Sequence, residues 1–297
     1  MSEVVVLGAA GMLGHKVFQI LRERRPGTLA TMREKPKELP FANVELLQRP
    51  EVLAGIDVTD FPRLHGLLQD LKPAHVVNCV GIIKQRREAD DPIPSITINA
   101  LLPHLLCRWA EGWGGRVIHV STDCVFSGRR GGYREDDPSD AEDLYGKSKF
   151  LGEISGDNGL TLRTSIIGRE LAEHRSLLDW FLEQEGKTVQ GFTRVIYSGV
   201  TTNYLGRLVG QLIESHPTLC GLYQVASAPI SKHDLLCLIK ESYGMNVTIM
   251  PDATEVSDRS MVGEKFLRAT GIKTPPWPEL VRELHEDPTP YRVWIGR

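Results

Sequence analysis

The chain has 297 residues, 41% of them apolar, and its 35 basic against 38 acidic side chains leave a net charge of −3. That length accommodates one large domain with a smaller lobe, the charge excludes a phosphate-backbone binder, which needs a concentrated positive surface, and no apolar run approaches the ~20 residues that span a bilayer. Five widely spaced cysteines without a CxxC pair, and scattered histidines, predict reduced thiols and neither disulfides nor a metal site. MSEVVVLGAAG enters a strand directly, without a signal peptide's basic segment or cleavage site. The expectation is a cytoplasmic globular protein, an enzyme, with no membrane or nucleic-acid partner.

In chain order, Glu3–Leu7 reads as a strand and Met12–Arg24 as a helix with apolar residues at 13, 17, 20 and 21. Thr28–Met32 is a second strand, followed by a charged loop, REKPKELP. Phe61–Leu71 is helical, His75–Val80 a strand, Ile93–Glu111 one long helix and Arg116–Ser121 a strand. Leu144–Ile154 reads as a helix and Leu160–Thr164 as a strand. This alternation, with strands apolar on both faces, predicts an α/β fold: a Rossmann-type, doubly wound parallel sheet. Beyond about residue 170 come helices at 174–185, 202–215, 231–243 and 277–286, with short strand-like runs at Leu222–Val225 and Val247–Met250. The predicted division is residues 1–168 as a dinucleotide-binding domain and 169–297 as a smaller lobe, some of whose segments return to the main sheet.

Gly8-Ala-Ala-Gly11-Met12-Leu13-Gly14 stands where a strand turns into a helix. Glycines there let the backbone approach a pyrophosphate, and the helix N-terminus supplies free N–H groups and a positive dipole end. The spacing is GxxGxxG, and tight packing at a bare strand–helix turn would use the same residues. At the end of the second strand, Thr31-Met32-Arg33 carries no carboxylate to grip a ribose 2′-hydroxyl, while Arg33 can pair with a 2′-phosphate. NADPH is therefore favoured, with NADH admissible; a solvated basic loop is the alternative. Asp57-Val58 and Cys79-Val80-Gly81 end the next strands, at the edge where such sheets bind ligands.

Tyr145 and Lys149 are four apart on a predicted helix, so their side chains share a face. A lysine there can lower the tyrosine pKa from ~10 by placing a charge beside the phenolate. The phenol can then exchange a proton with a substrate oxygen, and Thr122 can fix that oxygen with a second hydrogen bond.

The order GAAGMLG, NCVG, STDCVFSG, YGKSK and LRTSIIG resembles the extended short-chain dehydrogenase/reductase superfamily, and within it the dTDP-4-dehydrorhamnose reductase group. YSGVTT and GLYQVAS are similar to that group's substrate lobe. The resemblance implies Thr122, Tyr145 and Lys149 as the catalytic set. It also implies cofactor contacts at Gly8, Gly11, Met12, Leu13, Gly14, Asp57, Val58 and Gly81, with a nicotinamide contact near Ser165, and a substrate bearing a nucleoside diphosphate. Three departures stand out: Cys124 where the group often has tyrosine, Leu7 before the glycine motif where many members have threonine, and DAEDLYGKSK ahead of the tyrosine.

Sister reactions are weighed on Cys124. Nucleotide-sugar 4,6-dehydratases carry a glutamate there, and a thiol is a poor substitute. GDP-fucose synthase, an epimerase–reductase, uses a cysteine there with a histidine; His174 is the one histidine between Tyr145 and residue 216, and its spacing matches poorly. Cys124 is read as a packing residue under the sugar, with the base as its alternative. Lys84 and Arg194 are candidates for the two phosphates, and Asp123 for a sugar hydroxyl; Trp180 is a candidate for stacking on a base. Arg86 and Arg87 read as surface charge. A catalytically silent regulatory subunit, as in methionine adenosyltransferase, remains the reading from another class, and a homodimer is left open.

Overall fold

Val4–Leu7, four apolar residues with no exposed surface, form β1 at the centre of the protein's main sheet. The computed structural model describes residues 3–35, 38, 40–83, 90–172 and 176–294; Lys37, Lys84, Arg86, Arg87 and His174 lie outside the described residues. After β1 come α1 (Met12–Arg24), β2 (Leu29–Thr31), β3 (Val52–Leu53), α2 (Phe61–Leu71) and β4 (His75–Asn78). There follow α3 (Pro92–Ser95), a π-helical segment (Ile96–Leu101), α4 (Leu102–Glu111), β5 (Arg116–Thr122), α5 (Leu144–Leu151), β6 (Gly159–Thr164) and β7 (Ile166–Ile167). The remainder is α6 (Leu177–Leu182), β8 (Thr188–Phe192), β9 (Val195–Tyr197), β10 (Val200–Thr201), α7 (Thr202–Ser215), β11 (Gly221–Gln224) and β12 (Ile230–Ser231). It continues through α8 (Lys232–Tyr243), β13 (Thr248–Asp252), β14 (Ser257–Asp258), α9 (Glu264–Thr270), α10 (Trp277–His285) and α11 (Tyr291–Trp294).

The main sheet has seven parallel strands in the order β11-β6-β5-β4-β1-β2-β3. This is the predicted Rossmann-type architecture. The order reverses between β1 and β4, so a crevice opens beyond their carboxyl ends. Helices cover both faces. On one, Val17, Phe18 and Leu21 of α1 join Leu205, Leu208 and Leu212 of α7 in one buried cluster. On the other, Leu64 and Leu68 of α2 join Leu102 and Leu106 of α4. Each such leucine contributes about 1.5–3 kcal/mol by leaving water.

Residues beyond 168 supply β11 to the main sheet and α7 to the surface of α1. They also form two small sheets, β9 between β12 and β14 and β8 with β13, and supply β10 to pair with β7 in a third.

The helix predicted as continuous over Ile93–Glu111 contains a π turn. Pro103 has no N–H to give the Asn99 carbonyl four residues earlier, and Leu102 N–H reaches back to Thr97 instead. The freed Asn99 carbonyl faces Gly152, where any Cβ would overlap it. Gly152 follows Leu151, and α5 stops there, three residues short of the predicted end. The helix predicted from 174 is described over Leu177–Leu182, with Ser176 capping it by accepting the Asp179 N–H.

Candidate active site

The glycine loop is shaped by contacts that exclude side chains. Gly8 has φ +91°, a left-handed conformation that favours glycine, and a Cβ at Gly14 would overlap the Gly8 carbonyl. The N–H groups of Gly8 and Ala9 donate to the Thr31 carbonyl at 3.1 and 2.8 Å, tying the loop to the end of β2. Gly11 caps α1 without a side-chain hydrogen bond, and the first turn carries no acidic residue. The exposed N–H groups there suit an anion such as a pyrophosphate. His15, fully buried, holds the loop from behind: Nδ1 donates to Gly11 O at 2.9 Å and Nε2 accepts from the Tyr291 hydroxyl at 2.8 Å. Burial pushes His15 down to about 3, so it stays neutral. Beside it Lys16 pairs with Asp287 at 2.7 Å, both nearly inaccessible.

Around the crevice, Met12 is half-buried, Leu13 and Thr31 are buried, and Arg33 is exposed and paired with Glu34 at 3.0 Å. Asp57 accepts from Thr59 N–H and Oγ1 at 2.8 and 2.7 Å, which holds its carboxyl below the ordinary value. Val58 is buried beneath. Beyond β4, Val80 packs on Gly8, and a Cβ at Gly81 would lie 3.8 Å from Lys149 Nζ. Burial pushes the Cys79 thiol up to about 12, so it stays protonated. Asn99, from the π turn, clamps the backbone of Ile82 and donates to Ser148 Oγ at 3.2 Å.

Thr122 ends β5, and Tyr145 and Lys149 project from α5. Asp143 caps α5 by accepting the Gly146 N–H at 2.7 Å, and Gly146, without a Cβ, lets the helix meet the Cys124 carbonyl. Burial pushes the Tyr145 phenol up, Cys124 adds to this, and the Thr122 hydroxyl opposes it. This corrects the expected direction. Lys149 does not lower the tyrosine, because its Nζ is turned to the Val120 carbonyl at 2.8 Å.

Asp123 is buried, and that burial raises its carboxyl, with Arg259 and hydrogen bonds from Thr122, Cys124 and Ser165 opposing. Thr122 Oγ1 donates to Asp123 at 3.1 Å and accepts the Cys124 N–H at 3.1 Å. Cys124 borders a cavity of about 260 Å³ whose lining includes Arg129, Asp143 and Arg259. Of the predicted substrate contacts among the described residues, Arg194 and Trp180 are not in its lining: Arg194 is exposed in the β8–β9 turn, and Trp180 lies exposed on α6 against Phe181. Sequence reading missed Arg259, His15, Asn99, His119 and Tyr197. The last is buried near Ser165, Asp123 and Cys124, and burial raises its phenol. Two of these left a trace: a histidine inside the apolar run RVIHVS, and a proline four residues after Asn99.

A parallel Rossmann-type sheet with a glycine loop at its switch point, and threonine, tyrosine and lysine along β5 and α5, defines the extended short-chain dehydrogenase/reductase class. Residues 1–288 match the RmlD substrate binding domain, and the chain belongs to that family. It is similar to the spore coat polysaccharide biosynthesis protein SpsK of Bacillus subtilis (strain 168), 25% identical over 304 aligned residues that cover 97% of this chain and 98% of SpsK. It is also similar to the methionine adenosyltransferase 2 subunit beta of Mus musculus, 23% identical over 318 residues, covering 94% and 88%. The fold superposes on the crystal structure of dTDP-4-dehydrorhamnose reductase from Bacillus anthracis in complex with NADP, with TM-score 0.75 and 20% identity over 96% of this chain and 98% of that one. Among the described residues, no helix is long and apolar enough to cross a membrane.

Proposed function

We propose that the protein is an NADPH-dependent ketoreductase for the 4-keto group of a nucleotide-diphosphate 4-keto-6-deoxysugar. The observation that carries this reading is the convergence, at one sheet edge, of the glycine loop, the Gly81–Lys149 approach and the Thr122–Tyr145 pair. The NADP bound by the Bacillus anthracis reductase and the polysaccharide role of SpsK agree with it. Residues 1–168 hold the cofactor and 169–297 form most of the sugar lobe.

When bound along the loop, the cofactor supplies a hydride to the carbonyl carbon. Tyr145 donates its phenolic proton to the carbonyl oxygen, and its raised pKa keeps that proton in place until the oxygen gains charge. Thr122, by turning its one hydroxyl proton from Asp123 to the same oxygen, would donate a second hydrogen bond. Lys149 holds the ribose. Ser165 would border the nicotinamide, and Arg33 would hold a 2′-phosphate, which favours NADPH while admitting NADH. Lys84, Asp123, Cys124, Trp180 and Arg194 remain the substrate contacts, joined by Arg259 at the cavity. Cys124 packs under the sugar in this reading; as a base it would make the protein an epimerase–reductase. The similarity to methionine adenosyltransferase 2 subunit beta supports a second reading, a regulatory NADP-binding subunit without turnover.

The test is to offer NADPH and a panel of nucleotide 4-keto-6-deoxysugars to wild type and Tyr145→Phe in D₂O. Cofactor consumption by wild type alone, without deuterium beside the carbonyl, is the expected result. Deuterium at those carbons moves the protein to the epimerase–reductase class. NADPH binding without consumption on any sugar favours the regulatory reading.

A further inference from the structure

Strand β5 carries His119 in the middle of an apolar run, with no exposed surface. Its two ring nitrogens face two different partners. Asn78 Nδ2 lies 3.2 Å from Nδ1, and Lys149 Nζ lies 3.4 Å from Nε2. The orientation of the Asn78 amide is fixed independently. Its Oδ1 accepts the Val80 N–H at 3.1 Å, and an N–H only donates. Nδ2 is therefore the group turned to the imidazole, and Nδ1 must accept. Burial holds His119 well below its ordinary range, so the ring is neutral and its one proton is on Nε2, directed at Lys149. An ammonium has no lone pair to receive that proton, whereas an amine has one. The amine also still donates to the Val120 carbonyl, 2.8 Å away.

We propose that Asn78 and His119 are positioning residues that lock the imidazole as its Nε2–H tautomer and bias Lys149 toward the neutral amine. Lys149 is then an ammonium–amine couple instead of a permanent cation. This deepens the ketoreductase reading and rests on it for its catalytic consequence, which is that the alkaline limb of the reaction belongs to Lys149.

The groups facing Lys149 act in both directions. Burial pushes it down to about 8, against Glu153, which follows α5, and Cys79, which follows β4. Glu153 is largely committed elsewhere: it accepts from Arg163 at 2.8 and 2.6 Å and from Ser121 at 2.7 Å. Cys79 is an uncharged thiol over this range, since burial raises it to about 12. His104, on α4, is the other titratable group that acts on His119. Glu153 favours the ammonium and Cys79, uncharged, adds nothing near that value, so the bias toward the amine comes from burial and from the His119 proton.

The experiment is NMR on the full chain, with ¹⁵N-labelled histidine to read the tautomer and ¹³C-labelled lysine to titrate Lys149. In wild type, His119 is expected to be protonated at Nε2, and Lys149 to titrate near the value of about 8. In His119→Gln, whose amide oxygen can face Nζ, the midpoint rises by about one pH unit, tenfold in acidity. Asn78→Ala, which frees the tautomer, shifts it the same way by less. The alkaline limb of keto-sugar reduction moves with the NMR midpoint. A ring protonated at Nδ1, or a lysine midpoint that neither variant moves, overturns the proposal. Spectra as expected with no NADPH consumed on any sugar leave the tautomer lock standing and overturn the ketoreductase reading.

Discussion

Asn99 and Ile82 exchange two hydrogen bonds: Ile82 N–H donates to Asn99 Oδ1 at 2.9 Å, and Asn99 Nδ2 donates to the Ile82 carbonyl at 3.1 Å. The pair fixes the chain just after Gly81, where the crevice between β1 and β4 ends. In Asn99→Leu both backbone groups of Ile82 stay buried without partners, at about 1–3 kcal/mol each. Urea unfolding should show a loss in that range, and the Kd for NADPH should rise even where the variant is fully folded.

Gly14→Ala puts a methyl group into the Gly8 carbonyl. The loop must shift to admit it, at about 1–3 kcal/mol for overpacking. The expected outcome is NADPH affinity weakened by about tenfold or more in a fluorescence titration. Gly66→Ala, on α2, where a Cβ meets nothing within 4 Å, is the control that leaves binding unchanged.

His15 makes stability depend on pH. Its folded-state pKa is lowered from 6.5 to about 3 by burial, so as pH falls the unfolded chain takes up a proton before the folded one does. Its contribution is complete above 6.5 and is lost as pH falls toward about 3. The slope is about 1.4 kcal/mol per pH unit for one such group. Urea midpoints measured between pH 7 and pH 5 should fall steeply in wild type and less steeply in His15→Asn. Equal slopes would mean that the imidazole is not buried neutral.

Tyr145→Phe removes one hydroxyl and leaves the α5 backbone intact. Loss of the proton donor should lower kcat by about 10²–10⁴, with the NADPH Kd changed less than about twofold. A Tyr145→Phe enzyme with wild-type kcat would remove the phenol from the reaction.

Arg33 is exposed, and among the described residues its ion pair is with its neighbour Glu34, which leaves the guanidinium accessible to a 2′-phosphate. Arg33→Ala should raise the KM for NADPH by about tenfold or more, since a hydrogen bond to a charged group contributes about 1.5–3 kcal/mol, and leave the KM for NADH unchanged. Equal effects on both would assign Arg33 to the loop alone.

The sequence by itself determined the parallel sheet, because strands such as VVVL and HVVN are apolar on both faces and must be covered on both. It also determined the position of the glycine turn and the shared face of Tyr145 and Lys149, since these follow from local geometry at fixed spacing. Beyond residue 168 the runs at Leu222–Val225 and Val247–Met250 did register, as β11 and β13, while β8, β9, β10, β12 and β14 escaped it, because runs of two to five residues hold little alternation.

Only the tertiary structure decided what those residues meet. Pro103 opened the helix so that Asn99 could clamp Ile82. Gly146 drew α5 against Cys124 and turned Lys149 toward β5. Asn78 and His119, 41 positions apart, met across neighbouring strands to face that lysine. Periodicity and spacing specify faces and turns within a segment. The protonation states of Tyr145, His119 and Lys149 depend on burial and on partners from other segments, and those exist only once the chain has packed.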